Sequence, residues 1–161
     1  MIIPARVGQR VPDAILAEMR DGVPAPVHTE ALFSGRAAVV LGVPGAFSPV
    51  CSQRHLPDFI ANAERLKASG LGHLFCIAPN DPWVLEQWAR QIDPEGKVRF
   101  LSDGNLDFTR RMGLQARHEH LHLGDRSQRY TMIVRNAVIE KLAVESNILD
   151  YTCARSSELV L

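Results

Sequence analysis

The strongest constraint on the fold is an apolar run, Ala37–Val43, that leads directly into a turn holding Pro44, Gly45 and Pro49. After the turn, apolar side chains recur at helical spacing from about Cys51 to Ala68. A buried strand, a stiff turn and a helix are therefore predicted in succession. Pro57 lies within that helix and should bend it, because proline removes one backbone hydrogen bond.

The same alternation of strand and helix continues along the chain. His73–Ala78 has the composition of a second buried strand. Asn80-Asp81-Pro82 is typical of a helix start, with Asp81 as the cap and Pro82 in the first turn. We expect that helix to be anchored on Trp83, Leu85 and Trp88. Further predicted elements are a strand over Val98–Leu101, a helix over Leu106–Met112 ended by Gly113, a hairpin of Tyr130–Val134 with Val138–Val144, and a helix from Ser156.

Strands that alternate with helices and then end in a hairpin indicate an α/β fold with helices on both faces of the sheet. The first thirty residues are rich in Pro, Gly and Val and should form small edge strands. With 161 residues and no linker, residues 1–161 are predicted to form one domain.

Charge and hydropathy exclude several classes of partner. Eighteen basic side chains balance eighteen acidic ones, which gives no electrostatic reason to expect nucleic acid or an anionic membrane surface. No apolar run approaches the roughly 20 residues that span a bilayer. The first residues lack the pattern of a secretory signal, so we expect a cytoplasmic protein.

Cys51 occupies the first turn of the predicted helix. Unpaired backbone N–H groups and the positive end of the helix dipole favour a thiolate there, and the thiolate is the reactive species. Ser48, three residues earlier, offers a hydroxyl that can donate and accept. A buried helix-start cysteine without a chemical role explains the position of this residue about equally well.

Three blocks of this sequence resemble the peroxiredoxins, and specifically the type II or atypical two-cysteine subgroup. Pro44, Ser48 and Cys51 match the signature of Pro, three residues, Thr or Ser, two residues and Cys. The segment Asn80-Asp81-Pro82 and the segment Arg129–Val134 match two later blocks in the right order. Ser48 stands where Thr is more usual, Val50 stands where small residues or Thr are common, and the first half of the segment between Gly113 and Arg129 has no clear match.

The resemblance implies a thioredoxin-like fold, with a central mixed sheet flanked by helices and an N-terminal extension. It also implies reduction of hydrogen peroxide or an alkyl hydroperoxide, without a cofactor, through a sulfenic acid on Cys51. Ser48 would orient the peroxide, Arg129 would favour the thiolate, and Pro44 would cover the pocket. Taken without the resemblance, Arg129 is more simply a solvated charge at a strand edge.

The sulfenic acid must be recycled by a second thiol. Cys153, in a polar segment near the C-terminus, is favoured because it aligns with the resolving cysteine of animal-like members and should be exposed. Cys76 is the second choice, since it matches the resolving position of plant-like members but lies in a buried-strand context. A single-cysteine cycle that uses an external thiol such as glutathione or glutaredoxin stays open. Thioredoxin, or glutaredoxin with glutathione, is the expected reductant, and a homodimer is expected from the same resemblance.

Two other interpretations stay open from the sequence alone. His118, His120 and His122 alternate, so a strand would place all three imidazoles on one face, where they could bind zinc. A solvated polar face explains them more simply. The second interpretation is a redox-sensing or binding module that uses the same fold but does not consume peroxide catalytically. The absence of a CxxC motif argues against a thiol–disulfide oxidoreductase.

Overall fold

The computed structural model describes residues 5–159 and contains a seven-stranded mixed sheet. The strand order is β2-β1-β5-β4-β3-β8-β9, and a separate two-stranded sheet pairs β6 with β7. The strands are β1 (Ile15–Arg20), β2 (Val23–His28), β3 (Ala37–Gly42), β4 (His73–Ala78), β5 (Arg99–Ser102), β6 (Gln115–Arg117), β7 (Asp125–Ser127), β8 (Tyr130–Arg135) and β9 (Val138–Val144).

The centre of the sheet is a pair of parallel contacts, β3 with β4 and β4 with β5. The hairpin β8–β9 adds to the other side of β3 in antiparallel sense. The N-terminal hairpin β1–β2 joins the opposite edge through an antiparallel contact with β5. The prediction of a mixed sheet with small N-terminal edge strands is confirmed.

Helices cover both faces of this sheet, as the alternation of elements predicts. One face is closed by the first and fifth helices, with Phe33, Phe108 and Met112 in its core. The other is closed by the second, third and fourth helices, with Leu56, Phe59, Leu66 and Trp88 in its core. The helices are α1 (Thr29–Phe33), α2 (Leu56–Ala61), α3 (Ala63–Ala68), α4 (Pro82–Ile92), α5 (Asp107–Met112) and α6 (Ser156–Leu159).

The helix predicted over Cys51–Ala68 is not one kinked helix. A π-helical turn, Cys51–His55, comes first, and the Leu56 N–H donates to the Cys51 carbonyl five residues earlier. Pro57 lies in the first turn of α2, where its missing N–H costs little, so it is not where the chain breaks. The break lies at Asn62, whose φ of −101° and ψ of 9° separate α2 from α3.

The start of α4 follows the prediction, since the Asp81 side chain accepts from the Val84 N–H at 2.9 Å. Leu85 and Trp88 are buried, but Trp83 is 57% exposed, so its predicted role as an anchor is wrong. The apolar character of Trp83 led to that prediction, but the sequence did not show which face of α4 this side chain would occupy. No helix within residues 5–159 is long and apolar enough to cross a membrane.

Strand β3 delivers the chain to the turn identified in the sequence. Its last residue, Gly42, pairs with Tyr130 of β8, and the ring of Tyr130 occupies the space that a Cβ at Gly42 would need. This close approach fixes the end of β3 against the start of β8. Residues on both sides of that contact form the site described below.

Candidate active site

The turn after β3 is held in place from outside by α4 and the segment before it. The Asn80 side chain accepts a hydrogen bond of 2.7 Å from the Ala46 N–H. Phe47 adopts a left-handed conformation with φ of 64°, and its ring lies 6.4 Å from that of Trp88. Two prolines and these contacts give a loop that is ordered before any substrate arrives.

A helical turn begins at Pro49. The Ser48 carbonyl accepts from the Ser52 N–H at 3.0 Å, which is the first helical hydrogen bond of this segment. The N–H groups of Val50 and Cys51 therefore have no carbonyl one turn earlier to receive them. They are donors available to a ligand beside the sulfur.

Cys51 is fully buried, and its sulfur lies between two donors. The Ser48 hydroxyl is 3.0 Å from Sγ and 2.7 Å from the Gly45 carbonyl. A hydroxyl has one proton, so it can donate to the sulfur or to the carbonyl but not to both. Donation to the sulfur is the stronger choice when the sulfur carries a negative charge.

Arg129 is the second donor to the sulfur. It immediately precedes β8, is 1% exposed, and its Nη2 lies 3.3 Å from Cys51 Sγ. Its Nε and Nη2 also donate to the Ile148 carbonyl, at 3.2 and 2.9 Å. No ion pair found among residues 5–159 joins this guanidinium to a carboxylate. The contact with the Cys51 sulfur therefore stands where a buried guanidinium would usually have an ion pair.

His55 is a member of the site that sequence reasoning missed. It is fully buried four residues after Cys51, its Nδ1 lies 3.1 Å from Arg129 Nη1, and its Nε2 lies 2.8 Å from Thr131 Oγ1. Burial, and then the charge of Arg129, lower its pKa well below the ordinary histidine value. The signal available in the sequence was that the family resemblance continues beyond Cys51 through His55, Leu56 and Pro57.

A cavity of about 270 Å³ leads from the surface to this cluster. Pro44 and Arg129 are among the residues that line it. The remaining lining is almost wholly apolar and includes Val50, Leu121 and Leu149. The cavity therefore brings a small ligand against Ser48 and Arg129, the two side chains that contact Cys51 Sγ.

The two other cysteines lie in contrasting settings. Cys76 is buried in β4, and burial, followed by the charge of Cys51, raises its pKa well above the ordinary thiol value. Cys153 is exposed, with Sγ 3.4 Å from the Val144 carbonyl. Burial and the charge of Glu145 raise the pKa of Cys153 as well. All three cysteines are free thiols in this structure.

Residues 145–156, named here the C-terminal strap, run from β9 across the turn that carries Cys51. At its start, Glu145 accepts hydrogen bonds from the Thr152 N–H, the Thr152 hydroxyl and the Ala154 N–H, at 2.6–2.9 Å. The Ala154 carbonyl accepts from Thr131 Oγ1 at 2.8 Å. These bonds fold the strap into a loop that presents Cys153 at its outer side.

A second carboxylate ties the strap to α2. Asp58 accepts from the Tyr151 hydroxyl, from the Ser156 N–H at 2.9 Å and from the Ser156 hydroxyl at 2.6 Å. Burial, and then this bond to Asp58, raise the pKa of Tyr151 above the ordinary tyrosine value. The Arg54 guanidinium lies 5.5 Å from the centre of the Tyr151 ring. The strap is therefore held against α2, which follows directly after the turn that carries Cys51.

The three alternating histidines do not share a strand face. A 3₁₀-helical turn, Glu119–Leu121, separates His118 from His122, which adopts a left-handed conformation with φ of 58°. The alternative in which a strand places all three imidazoles on one face does not hold, because it required extended backbone from His118 to His122. Over residues 5–159, no group of three or more His, Cys, Asp or Glu residues is placed to hold a metal ion.

A buried thiol in the first turn of a helix, in contact with an arginine and next to an apolar pocket, is typical of thiol-based redox enzymes. The family description Redoxin matches residues 6–157. A peroxiredoxin from Synechocystis is 38% identical over 151 residues, covering 88% of this chain and 79% of that protein. Peroxiredoxin-2C of Arabidopsis thaliana is 34% identical over 145 residues, covering 89% of each chain.

Solved structures agree with the fold. Reduced Prx3 of Vibrio vulnificus, in complex with hydrogen peroxide, superposes with a TM-score of 0.89 at 32% identity over 96% of both chains. The chain belongs to the Redoxin family and, within it, to the peroxiredoxins. It is a thiol-dependent peroxidase with a thioredoxin-like fold, and the alternative of a binding module without turnover is not favoured by these relatives.

Proposed function

We propose that the peroxidase reaction of this protein takes place at Cys51. The observation that carries the proposal is the buried sulfur between the Ser48 hydroxyl, at 3.0 Å, and Arg129 Nη2, at 3.3 Å. This arrangement supports a thiolate at rest and supplies donors on the side from which a peroxide arrives.

In the first step the thiolate attacks one oxygen of the peroxide. A sulfur–oxygen bond forms, the oxygen–oxygen bond breaks, and the electron pair of that bond leaves with the other oxygen. Arg129, with the N–H groups of Val50 and Cys51, stabilises the charge on the departing oxygen. The leaving oxygen takes up a proton and departs as water or an alcohol, and Cys51 remains as a sulfenic acid.

In the second step a resolving thiol attacks the sulfenic sulfur. A disulfide forms and the hydroxyl leaves as water. We propose Cys153 for this role because it is exposed on a strap whose ties are hydrogen bonds, whereas Cys76 is fixed in the central strand β4. Burial also keeps Cys76 protonated more strongly than an exposed thiol, and a protonated thiol attacks poorly.

A dithiol protein such as thioredoxin, or glutaredoxin with glutathione, would then reduce the disulfide and restore both thiols. These reductants, a homodimer, a cytoplasmic location and a single domain over residues 1–161 remain predictions from the sequence. Exposure of Cys153 and of the apolar side chains Phe47 and Leu149 beside the pocket supports a surface at which another protein docks.

The test is peroxide consumption with a thiol reductant by the wild-type protein and by the Cys51→Ser variant. We expect the variant to lose all turnover while circular dichroism shows the same secondary structure. After one equivalent of peroxide, peptide mapping of the wild-type protein should show a disulfide from Cys51 to Cys153. Retained turnover in Cys51→Ser would refute the assignment of the nucleophile.

A further inference from the structure

The interactions of His55 fix where its proton is. A guanidinium can only donate, so Arg129 Nη1 donates to Nδ1 of the imidazole across 3.1 Å. Nδ1 is therefore unprotonated, and a neutral ring must carry its proton on Nε2. From there it donates to Thr131 Oγ1 at 2.8 Å, and Thr131 donates in turn to the Ala154 carbonyl at 2.8 Å.

Together with the Ile148 carbonyl, the imidazole fixes the orientation of the Arg129 guanidinium. Nη1 faces the imidazole, and Nε and Nη2 face the Ile148 carbonyl. The remaining direction of Nη2 is toward Cys51 Sγ. With the Ile148 carbonyl as its only acceptor, the guanidinium of Arg129 could rotate about that oxygen, because both hydrogen bonds end on the same atom. The hydrogen bond to His55 Nδ1 is a second restraint, and it prevents this rotation.

We infer that His55 is a positioning residue of the peroxidase reaction, which as a neutral Nε2–H imidazole aims the guanidinium of Arg129 at the Cys51 sulfur and at the peroxide. The inference rests on the proposed role of Arg129. It explains why a histidine, with an acceptor and a donor on opposite edges of one ring, is buried beside a cation. A carboxylate here would compete with the thiolate for the charge of Arg129.

The neutral state is enforced by the surroundings of the ring. Its described neighbours are Arg129, Thr131, the ring of Tyr151 at 5.1 Å and the ring of Phe59 at 5.8 Å. Among them only Arg129 is charged, and its charge opposes protonation of the imidazole. His55 therefore accepts from Arg129 across the pH range in which the enzyme would work.

Three substitutions separate positioning from packing. In His55→Asn the side-chain oxygen can take the place of Nδ1 and accept from Arg129. In His55→Gln the amide nitrogen can take the place of Nε2 and keep the bond to Thr131, but the acceptor facing Arg129 is lost. His55→Leu fills most of the volume and keeps neither bond. His73→Gln, on an exposed histidine of β4, is the control.

The measurements are the single-turnover rate of Cys51 with peroxide, the ultraviolet absorbance of the thiolate, and the melting temperature. We expect His55→Gln and His55→Leu to react roughly 100-fold more slowly than wild type, because a misaimed catalytic group costs about that much. His55→Asn should react at least about ten-fold faster than His55→Gln, although it leaves a larger void and melts lower. The control should match wild type.

If His55 only fills space, the reaction rates should follow the melting temperatures. His55→Leu and His55→Gln should then react faster than His55→Asn. That order, or wild-type rates in all three variants, would overturn the inference. The Cys51→Ser variant measured alongside separates the two claims. If Cys51→Ser is inactive while the His55 variants react normally, the proposed function stands and only the positioning role fails.

Discussion

Arg129 and Cys51 are 78 positions apart in the sequence, yet their side chains meet in a buried contact of 3.3 Å from nitrogen to sulfur. The contact exists because the turn after β3 and the residue before β8 lie side by side at one end of two paired strands. It places the positive charge of Arg129 against a buried sulfur.

Replacing Arg129 with glutamine should remove that charge. We expect the reaction with peroxide to slow by roughly 100- to 1,000-fold, which is the usual loss for one donor to a developing oxyanion. Arg129→Lys keeps a charge without the planar fork and should recover only part of the rate. The thiolate fraction of Cys51, followed by alkylation rate against pH, should fall in the glutamine variant. Superimposable alkylation profiles would exclude this role.

The choice of resolving thiol is decided by two serine variants. Cys153→Ser should accumulate the Cys51 sulfenic acid, which a dimedone adduct detects by mass spectrometry, and should lose thioredoxin-supported turnover. Cys76→Ser should retain both the disulfide and turnover. A mapped bond between Cys51 and Cys76 would transfer the role to Cys76. Normal turnover in both variants would indicate a one-cysteine cycle with an external thiol.

The hydrogen bonds from the C-terminal strap to Asp58 can be weakened without changing any residue that contacts the sulfur of Cys51. Asp58→Asn keeps the shape but removes the charge that accepts from Tyr151 and Ser156, and hydrogen bonds to a charged group contribute about 1.5–3 kcal/mol each. We expect a lower melting temperature and faster alkylation of Cys153 in the reduced protein. Asp150→Asn, an exposed carboxylate on the same strap, is the matched control. Equal alkylation rates in the two variants would contradict the assignment.

The contact between Gly42 and Tyr130 predicts a loss of stability on adding one methyl group. An alanine side chain at Gly42 would overlap the ring of Tyr130, which is 1% exposed and cannot move aside freely. Overpacking of this kind costs about 1–3 kcal/mol in the free energy of unfolding. Gly72→Ala, where no atom lies within 4 Å of the added carbon, should be close to neutral. Urea titration of both variants measures the difference.

Burial of neutral His55 makes stability depend on pH in a defined direction. Its pKa in the folded state lies well below the ordinary histidine value of 6.5, so the unfolded chain binds the proton more readily. The stabilisation is complete above about pH 6.5 and is lost as pH falls below it, by up to about 1.4 kcal/mol per pH unit. Subtracting the same curve for His55→Asn removes the contribution of carboxylates. Parallel curves would show that His55 does not titrate on unfolding.

Local signals in the sequence were sufficient for most of the fold. The apolar runs of β3 and β4, the cap at Asp81 and the turn before Cys51 each depend on neighbouring residues, and each lies where it was predicted. The break at Asn62 and the exposure of Trp83 were not predicted, because each depends on packing between elements rather than on spacing along one helix.

The site shows the same division. The family resemblance identified Cys51, Ser48, Pro44 and Arg129. In the structure Ser48 and Arg129 contact the Cys51 sulfur and, with Pro44, line one cavity. His55 and the anchors of the C-terminal strap were missed. Their partners lie 74 residues away for His55 with Arg129, and 93 for Asp58 with Tyr151. Nothing in the local pattern of a histidine or an aspartate on a helix marks such a pairing.

The two hydrogen bonds from Arg129 to the Ile148 carbonyl connect the reaction at Cys51 to an amide group that NMR can observe. That carbonyl belongs to the same peptide group as the N–H of Leu149, so electron density withdrawn from one is felt by the other. When the sulfur of Cys51 changes its charge, we expect Nη2 of Arg129, which contacts both groups, to donate more or less strongly to the Ile148 carbonyl. The amide resonance of Leu149 should therefore register the oxidation state of a sulfur that it does not touch.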